Sequence, residues 1–250
     1  MIIDNSPLIS IITVTFNAGK VIGRTLKSLE EQTFRDFEHL IIDGASNDNT
    51  LEIINSGLSD NVVVLSEPDK GLYDAMNKGL KRAKGKFVIF LNAGDTFHNK
   101  ETLNHYAEFA LKSKDIIYGD TVIEDLSGNK IGDRHLWAPD RLTKNSFADG
   151  MLICHQAFMV RKDLTSPYNL YYRFSSDYDW CIRCISKSDP VNCINLNEVT
   201  IRYLNDGLTD KNKLKSLKER FRIMSEHYGL TKTLLKHFQF IFRALRRGHL

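Results

Sequence analysis

The 250-residue sequence contains no uninterrupted apolar run of about 18 residues, the minimum for a membrane-spanning helix. Its N-terminus lacks a basic stretch followed by an apolar core, so we do not expect a secretory signal. The phosphate-binding patterns G-x-x-x-x-G-K-[ST] and G-x-G-x-x-G are also absent. These absences exclude P-loop and dinucleotide-binding enzymes, and they predict a cytoplasmic protein without a membrane span.

Cysteine is scarce, with four residues at positions 154, 181, 184 and 193. Cys181 and Cys184 form a C-x-x-C pattern, but no second close pair accompanies them at the spacing of a zinc site. Both lie in a segment with helical spacing, which favours buried thiols in a reducing compartment.

The net charge of +3 is unevenly distributed along the chain. Residues 211–250 contain 11 Lys and Arg against 2 Asp and Glu, a net of +9, so the other 210 residues sum to −6. Residues 234–247 are both apolar and basic, and this composition suits peripheral contact with an anionic membrane surface. A helix packed on the body or on another subunit is the alternative. No nucleic-acid-binding motif accompanies the charge, so we expect no nucleic-acid partner.

Apolar strand patterns alternate with helical spacing over the first 90 residues. This alternation predicts an α/β fold with a doubly wound, mostly parallel central sheet flanked by helices. The strands are expected at 8–15, 37–42, 62–65 and 86–91, with helices at 21–32, 50–56 and 72–85. Beyond residue 95 we expect helices at 100–111 and 177–186, and strands at 115–118, 121–125, 130–133, 157–161, 191–196 and 199–203. From this pattern we expect a main domain over residues 1–207 and a basic, amphipathic C-terminal helical extension over 208–250.

Polar or glycine-containing loops follow each of the first four strands. Because the carboxyl ends of parallel strands meet at one edge, we expect these loops to form a ligand site. Asp43 suits a nucleobase or ribose hydroxyl, and Asp95 suits a hard cation such as Mg²⁺ or Mn²⁺ that bridges two phosphates. For both residues the alternative is capping of the helix that follows.

A second acidic cluster occupies residues 175–180. Asp177, preceded by two serines, is a candidate general base for removing a proton from a hydroxyl. The alternative is an acid in the first turn of a helix, stabilised by the helix dipole. His155, in the irregular segment 134–156, is a candidate contact for phosphate or acceptor, with a structural histidine as the alternative.

Six segments occur in an order that resembles family-2 glycosyltransferases, which have the GT-A nucleotide-diphospho-sugar transferase fold. The resemblance covers about residues 8–205, and its later part is similar to the subgroup that builds bacterial surface polysaccharides. The segments are ITVTFNAG, QTFRDFEHLIIDGASNDNT, SEPDKGLYDAMNKGLKRAKG, FLNAGD, ICHQAFMVRKDL and FSSDYDWCIRC.

The resemblance implies roles for individual residues. Asp95 matches the last acid of the family's metal-binding motif, and Asp177 matches its base. We expect acceptor or phosphate contacts from His155, Asp179 and Trp180. The expected donor-binding residues are Thr15, Phe16, Asn17, Asp43, Asp69, Lys70, Asn92, Ala93 and Gly94. The sequence departs from the family's pattern in having one acid in Asn92-Ala93-Gly94-Asp95, and Ser176 in place of Glu before Asp177.

The implied activity is inverting, metal-dependent transfer of a sugar from a nucleotide-diphosphate donor to a hydroxyl of a saccharide acceptor. The subgroup further implies a lipid-linked acceptor, surface polysaccharide biosynthesis and a place at the inner face of the cytoplasmic membrane. The alternative is a non-catalytic nucleotide-sugar-binding protein. A nucleotidyltransferase would need a glycine-rich, basic N-terminal loop, which the short TFNAG segment does not supply.

Overall fold

A computed structural model describes residues 6–57, 61–134, 136–205 and 212–246, and it contains a nine-stranded sheet with helices on both faces. Helices α3, α5 and α6 pack on one face, and α1, α2 and α4 pack on the other. The helices are α1 Ile22–Glu30, α2 Thr50–Ser56, α3 Leu72–Arg82, α4 Thr102–Leu111, α5 Ser176–Ile185, α6 Lys213–Tyr228 and α7 Leu230–Arg246.

The first four strands form the parallel half of the sheet in the order β3-β2-β1-β4. All seven residues of β1 are buried, including Ser10, Thr13 and Thr15, since helices cover both faces of the parallel half of the sheet. This half confirms the predicted alternation of strands and helices. The strands are β1 Ile9–Thr15, β2 Phe37–Asp43, β3 Val62–Ser66 and β4 Phe87–Phe90.

The second half of the sheet is mixed, whereas the sequence predicted a mostly parallel sheet. Strand β8 runs antiparallel to both β4 and β6, and β5 runs antiparallel to β9. Strand β9 runs parallel to β6, and β7 forms a hairpin on β6. These strands are β5 Thr96–Phe97, β6 Ile116–Glu124, β7 Lys130–Asp133, β8 Phe158–Arg161 and β9 Cys193–Leu204.

Strands β6 and β9 are each continuous where the sequence predicted two strands. The pairing register of β6 with β9 shifts between Tyr118 and Thr121, so the expected break between two strands is an irregularity within one continuous strand. Gly119 permits a close approach of β9 here, because a Cβ at this position would lie 2.5 Å from Cγ2 of Thr200. On β9, Asn197 takes up the irregularity with a φ of 54°. Glycine and asparagine therefore mark bulges here and not strand ends.

Helix α6 shares the core of the main body, because Ile223 and Met224 are buried in the same cluster as α3 and α5. The predicted domain boundary at 207–208 lies outside the described residues. All four cysteines are buried and free, as predicted for Cys181 and Cys184. No helix in the described parts of the chain has the length and apolar character needed to span a membrane.

Candidate active site

The ends of the first three strands lie side by side at one edge of the sheet. Thr15 pairs in register with Asp43, and Asp43 pairs with Ser66. The loop after β1 is tied to the loop after β2, because the Asn17 N–H donates to the Ser46 hydroxyl at 2.8 Å. The expected convergence of these loops is therefore present.

Gly44 permits the third loop to join this group. A Cβ at Gly44 would lie 2.5 Å from Oδ2 of Asp69 and 3.3 Å from Cδ2 of Phe16. Phe16 is 61% exposed, and Lys70, which follows Asp69 in the chain, is also exposed. Asp69, Phe16 and Lys70 thus border an open surface, and their contact with a donor nucleotide stays a prediction.

Asp43 is fully buried and its carboxylate holds the surrounding loops together. Its Oδ2 accepts hydrogen bonds from the Ser46 N–H at 2.9 Å and from the Ser66 hydroxyl at 2.6 Å. It does not cap helix α2, which Asn49 precedes at the N-cap position. Contact with a nucleobase stays a prediction for this residue.

Asp95 is buried beneath the end of β9. Its Oδ1 accepts a hydrogen bond from the Leu204 N–H at 2.7 Å, and its carbonyl oxygen accepts from the Thr25 hydroxyl at 2.8 Å. Burial raises the pKa of the Asp95 carboxyl to about 7, against smaller lowering contributions from Leu204, Gln156 and Arg24. Burial therefore outweighs these hydrogen bonds and the positive charge of Arg24 at this carboxylate.

The second acid that the family often carries would be strained at Gly94. This glycine has a φ of +98°, and a Cβ there would lie 2.8 Å from Cδ2 of Leu204. Any larger residue would be strained in its backbone and would press on β9. The local fold therefore explains why this loop has a single acid.

The oxygen atoms of this loop can hold a hard cation only if a bound ligand supplies further oxygen atoms. Among the described residues no cluster of three His, Cys, Asp or Glu side chains is placed to bind a metal. Asn92 contributes a buried Oδ1 that has no hydrogen-bond partner, and Asp95 contributes a carboxylate. Oxygen donors of this kind suit Mg²⁺ or Mn²⁺ with phosphate oxygens as further ligands. The assignment of Asp95 to a metal stays a prediction.

Asp177 lies in the first turn of α5 and faces residues from distant parts of the chain. Its Oδ1 accepts a hydrogen bond from the Tyr73 hydroxyl of α3 at 3.0 Å. Its Oδ2 lies 3.6 Å from Nδ1 of His155, and the Asp177 side chain is 21% exposed. The structure therefore places a partly accessible carboxylate among polar groups, as a general base requires.

Several polar atoms of the predicted site residues are buried and have no partner within the described chain. They are Oγ1 of Thr15, Oδ1 of Asn92 and Nε2 of His155. Burial lowers the pKa of the His155 imidazole, so this side chain is neutral near pH 7. Because buried polar groups normally have hydrogen-bond partners, these three atoms point to a polar ligand.

Asp179 and Trp180 do not join Asp177, and this corrects their predicted acceptor contacts. The Asp179 carboxylate is buried and accepts hydrogen bonds at 2.8 Å from both Arg183 and His227. Trp180 is fully buried and stacks on Tyr168 with ring centroids 5.0 Å apart. The partners of Asp179 and Trp180 lie on α5, on α6 and in the aromatic stack, away from the strand-end loops, so neither side chain is placed to contact an acceptor.

The sequence patterns did not predict Tyr73 or Glu219 as site residues. The carboxylate of Glu219 on α6 accepts hydrogen bonds at 2.8 Å from the N–H groups of Arg173 and Phe174. Helix α6 thereby fixes the segment that leads into Asp177. Only the apolar face of α3 and the spacing of α6 were visible in the sequence, and neither pattern indicates these contacts.

A separate cleft of about 580 Å³ lies at the opposite edge of the sheet, lined by residues that include Gly85 and Phe87 at the start of β4. Three of its basic side chains already have protein partners: Arg161 pairs with Asp115 and Asp163, Lys162 donates to the Ala83 carbonyl, and Lys114 donates to the Val191 carbonyl. The cleft therefore does not compete with the strand-end site as an anion-binding site.

Comparison with protein families gives a match between residues 10–166 and the model described as Glycosyl transferase family 2. One curated relative is a PGL/p-HBAD biosynthesis glycosyltransferase of Mycobacterium bovis, 35% identical, with 85% of this chain and 84% of the relative covered. Another is UDP-Glc:alpha-D-GlcNAc-diphosphoundecaprenol beta-1,3-glucosyltransferase WfgD of Escherichia coli, 26% identical, with 88% and 86% covered.

Solved structures with the GT-A fold are also similar. Residues 1–349 of S. aureus TarS in complex with UDP-GlcNAc superpose with a TM-score of 0.72 at 20% identity, covering 93% of this chain and 73% of that one. The mannosyltransferase PcManGT of Pyrobaculum calidifontis, in complex with GDP-Man and Mn²⁺, gives a TM-score of 0.60 at 14% identity, covering 98% and 77%. At these identities the likeness concerns the fold, and it confirms the predicted GT-A architecture.

Proposed function

The chain belongs to glycosyl transferase family 2, and from this premise we propose that it transfers a sugar from a nucleotide-diphosphate donor to an acceptor hydroxyl with inversion at the anomeric carbon. The observation that carries the proposal is the grouping of unpartnered polar atoms with Asp177 at the carboxyl edge of the sheet. The donor would lie across the loops after β1, β2 and β3. Asp43 and Asp69 would contact its nucleoside.

Asp177 would act as the general base. As the acceptor oxygen attacks the anomeric carbon, its proton passes to the Asp177 carboxylate, and the bond from that carbon to the donor diphosphate breaks. The diphosphate leaves on the opposite face of the sugar, so the configuration inverts. His155, neutral and with no partner for Nε2 among the described residues, would contact a phosphate or acceptor group through this nitrogen.

Asp95 and Asn92 would hold a divalent cation together with the donor. When bound, such a cation neutralises charge on the departing diphosphate. The donor chemistry of these two residues fits Mg²⁺ or Mn²⁺, and a solved structure of similar fold contains Mn²⁺. A non-catalytic nucleotide-sugar-binding protein would share this donor site but would transfer nothing.

The acceptor is proposed to be a lipid-linked saccharide in surface polysaccharide biosynthesis, since the WfgD relative is named for a diphosphoundecaprenol acceptor. Peripheral contact with the cytoplasmic face of the membrane would follow. Helix α7 supports it, because Leu235, Phe238 and Phe242 are each at least 58% exposed. On its other side, Lys236 pairs with Asp149, which anchors the helix to the body.

Vesicle sedimentation tests the membrane contact. The protein should sediment with vesicles containing phosphatidylglycerol and less with vesicles of phosphatidylcholine alone. Phe238→Glu should abolish sedimentation while leaving transfer to a soluble acceptor analogue unchanged. A different result would be that the protein does not bind vesicles but forms concentration-dependent dimers, which Phe238→Glu dissociates. That result would assign the exposed face of α7 to contact with a second copy of the chain.

The donor proposal is tested by a thermal-shift screen of UDP-, GDP- and dTDP-sugars with and without Mn²⁺, followed by a transfer assay with the donor that binds. A ligand that binds the native state raises its apparent stability, so one nucleotide class should shift the melting temperature more in the presence of Mn²⁺. Binding without transfer to any lipid-diphosphate acceptor would favour the non-catalytic alternative.

A further inference from the structure

Asp177 has two carboxylate oxygens in different surroundings. Oδ1 receives the Tyr73 hydroxyl at 3.0 Å, which is a normal hydrogen bond. Oδ2 lies 3.6 Å from Nδ1 of His155, which is too long for one. One oxygen is therefore held by the protein, and the other has no such bond.

The Tyr73 hydroxyl can only act as the donor in this pair. Burial, followed by the negative charge of Asp177, raises the pKa of the Tyr73 phenol well above its usual value, so the hydroxyl keeps its proton. Tyr73 is itself buried and cannot exchange this partner for water. The contact therefore gives Oδ1 of Asp177 a hydrogen-bond donor that stays in place.

An aromatic stack fixes the position of the Tyr73 ring. Tyr73 stacks on Tyr168 with ring centroids 5.5 Å apart and planes 19° apart. Tyr168 in turn stacks on Trp180, which belongs to the same helix as Asp177. The ring that holds Oδ1 and the helix that carries Asp177 are thus packed into one rigid group.

Given the proposed function, we infer that Tyr73 is a positioning residue, which holds Oδ1 of Asp177 and leaves Oδ2 as the oxygen that takes the acceptor proton. The bond from the acceptor O–H to its hydrogen breaks as an O–H bond forms at Oδ2, and Tyr73 keeps its own proton throughout. A fixed donor at Oδ1 also restricts rotation of the carboxylate, so Oδ2 keeps one orientation.

The titratable and charged groups around Asp177 come from six parts of the chain. Their charges bear on any pH profile of the reaction, and those other than Tyr73 stay in place when only the Tyr73 hydroxyl is removed. They are Tyr73 of α3, Arg134 facing His155, Cys154 and His155 before β8, Tyr168 of the stack, Cys181 of α5, and Glu219 of α6 facing Tyr73.

Tyr73→Phe tests the inference, with Tyr168→Phe as the matched control. Both variants remove one buried hydroxyl from the same stack, but the Tyr168 hydroxyl has no hydrogen-bond partner among the described residues. Tyr73→Phe should move the acid limb of the kcat/KM profile toward neutral pH by about one pH unit, because the ionised base loses a donor. Below the limb, the rate should fall about tenfold.

Tyr168→Phe should leave the acid limb and kcat/KM unchanged. Both variants should bind the donor with wild-type affinity. Equal pH profiles for Tyr73→Phe and the wild-type protein would overturn the inference, as would an equal shift in both variants. The Asp177→Asn variant separates this outcome from failure of the proposed function. If Asp177→Asn retains transfer, the assignment of Asp177 as the general base is wrong. If Asp177→Asn loses transfer while Tyr73→Phe leaves the pH profile unchanged, only the role inferred for Tyr73 is wrong.

Discussion

Replacing Asp95 by asparagine should stabilise the metal-free protein while removing its response to metal. Asparagine keeps the shape of the side chain and an oxygen that can accept the Leu204 N–H, which Asp95 now receives at 2.7 Å. It removes the charge, which burial disfavours: the pKa of this carboxyl rises from its usual 3.8 to about 7. The substitution therefore keeps the hydrogen bond from Leu204 and removes only the buried charge.

The expected gain depends on pH in a defined direction. Above pH 7 the carboxyl is ionised in both the folded and the unfolded states, and the raised pKa costs the folded state at most roughly 4 kcal/mol. As the pH falls from 7 toward 4, the folded state takes up its proton first and this cost disappears. Asp95→Asn should thus gain up to roughly 4 kcal/mol at pH 8 and much less at pH 4.5.

Urea unfolding in EDTA at the two pH values measures this gain, and thermal shifts with Mn²⁺ and nucleoside diphosphate measure the metal response. Asp115→Asn is the matched control, because Asp115 is also buried but pairs with Arg161. That variant should lose about 1–3 kcal/mol. A less stable Asp95→Asn at pH 8 would refute the desolvation argument, and an unchanged Mn²⁺ response would refute the metal assignment.

Three further substitutions test the geometry of the site. Gly44→Ala places a methyl group 2.5 Å from Oδ2 of Asp69, so donor affinity measured by calorimetry should fall about tenfold with little change in melting temperature. Gly94→Asp should lose about 1–3 kcal/mol in urea unfolding without gaining Mn²⁺ affinity, because its φ of +98° strains any side chain. Glu219→Ala leaves two N–H groups before α5 without their acceptor and should lower kcat about tenfold, whereas Glu219→Gln should restore part of it. Wild-type donor affinity in Gly44→Ala, tighter Mn²⁺ binding in Gly94→Asp, or unchanged kcat in Glu219→Ala would contradict the respective argument.

The parallel half of the fold was predictable because its strands are short apolar runs that end at glycine or acidic residues. The continuity of strands β6 and β9 was not predictable, since Gly119 and Asn197 resemble turn signals yet lie in bulges of continuous strands. A bulge depends on the neighbouring strand, and a single-sequence pattern does not contain that neighbour.

The same limit applies to the site. Asp177 was found because its segment resembles a family motif, but its partner Tyr73 lies 104 residues away and only the packing of α3 on α5 brings the two together. Asp179 and Trp180 were assigned by their nearness to Asp177 in the chain. At about 100° per residue, Asp179 points roughly 160° away from Asp177 around the helix, whereas Trp180 is only about 60° away, and both side chains enter the core.

The most direct test of the central claim is the anomeric configuration of the product, determined by NMR after transfer from the donor that the thermal-shift screen identifies. The account predicts a single product whose anomeric configuration is inverted relative to the donor, formed by the wild-type protein and not by Asp177→Asn. A product with retained configuration, or an inverted product formed by Asp177→Asn at the wild-type rate, would contradict it.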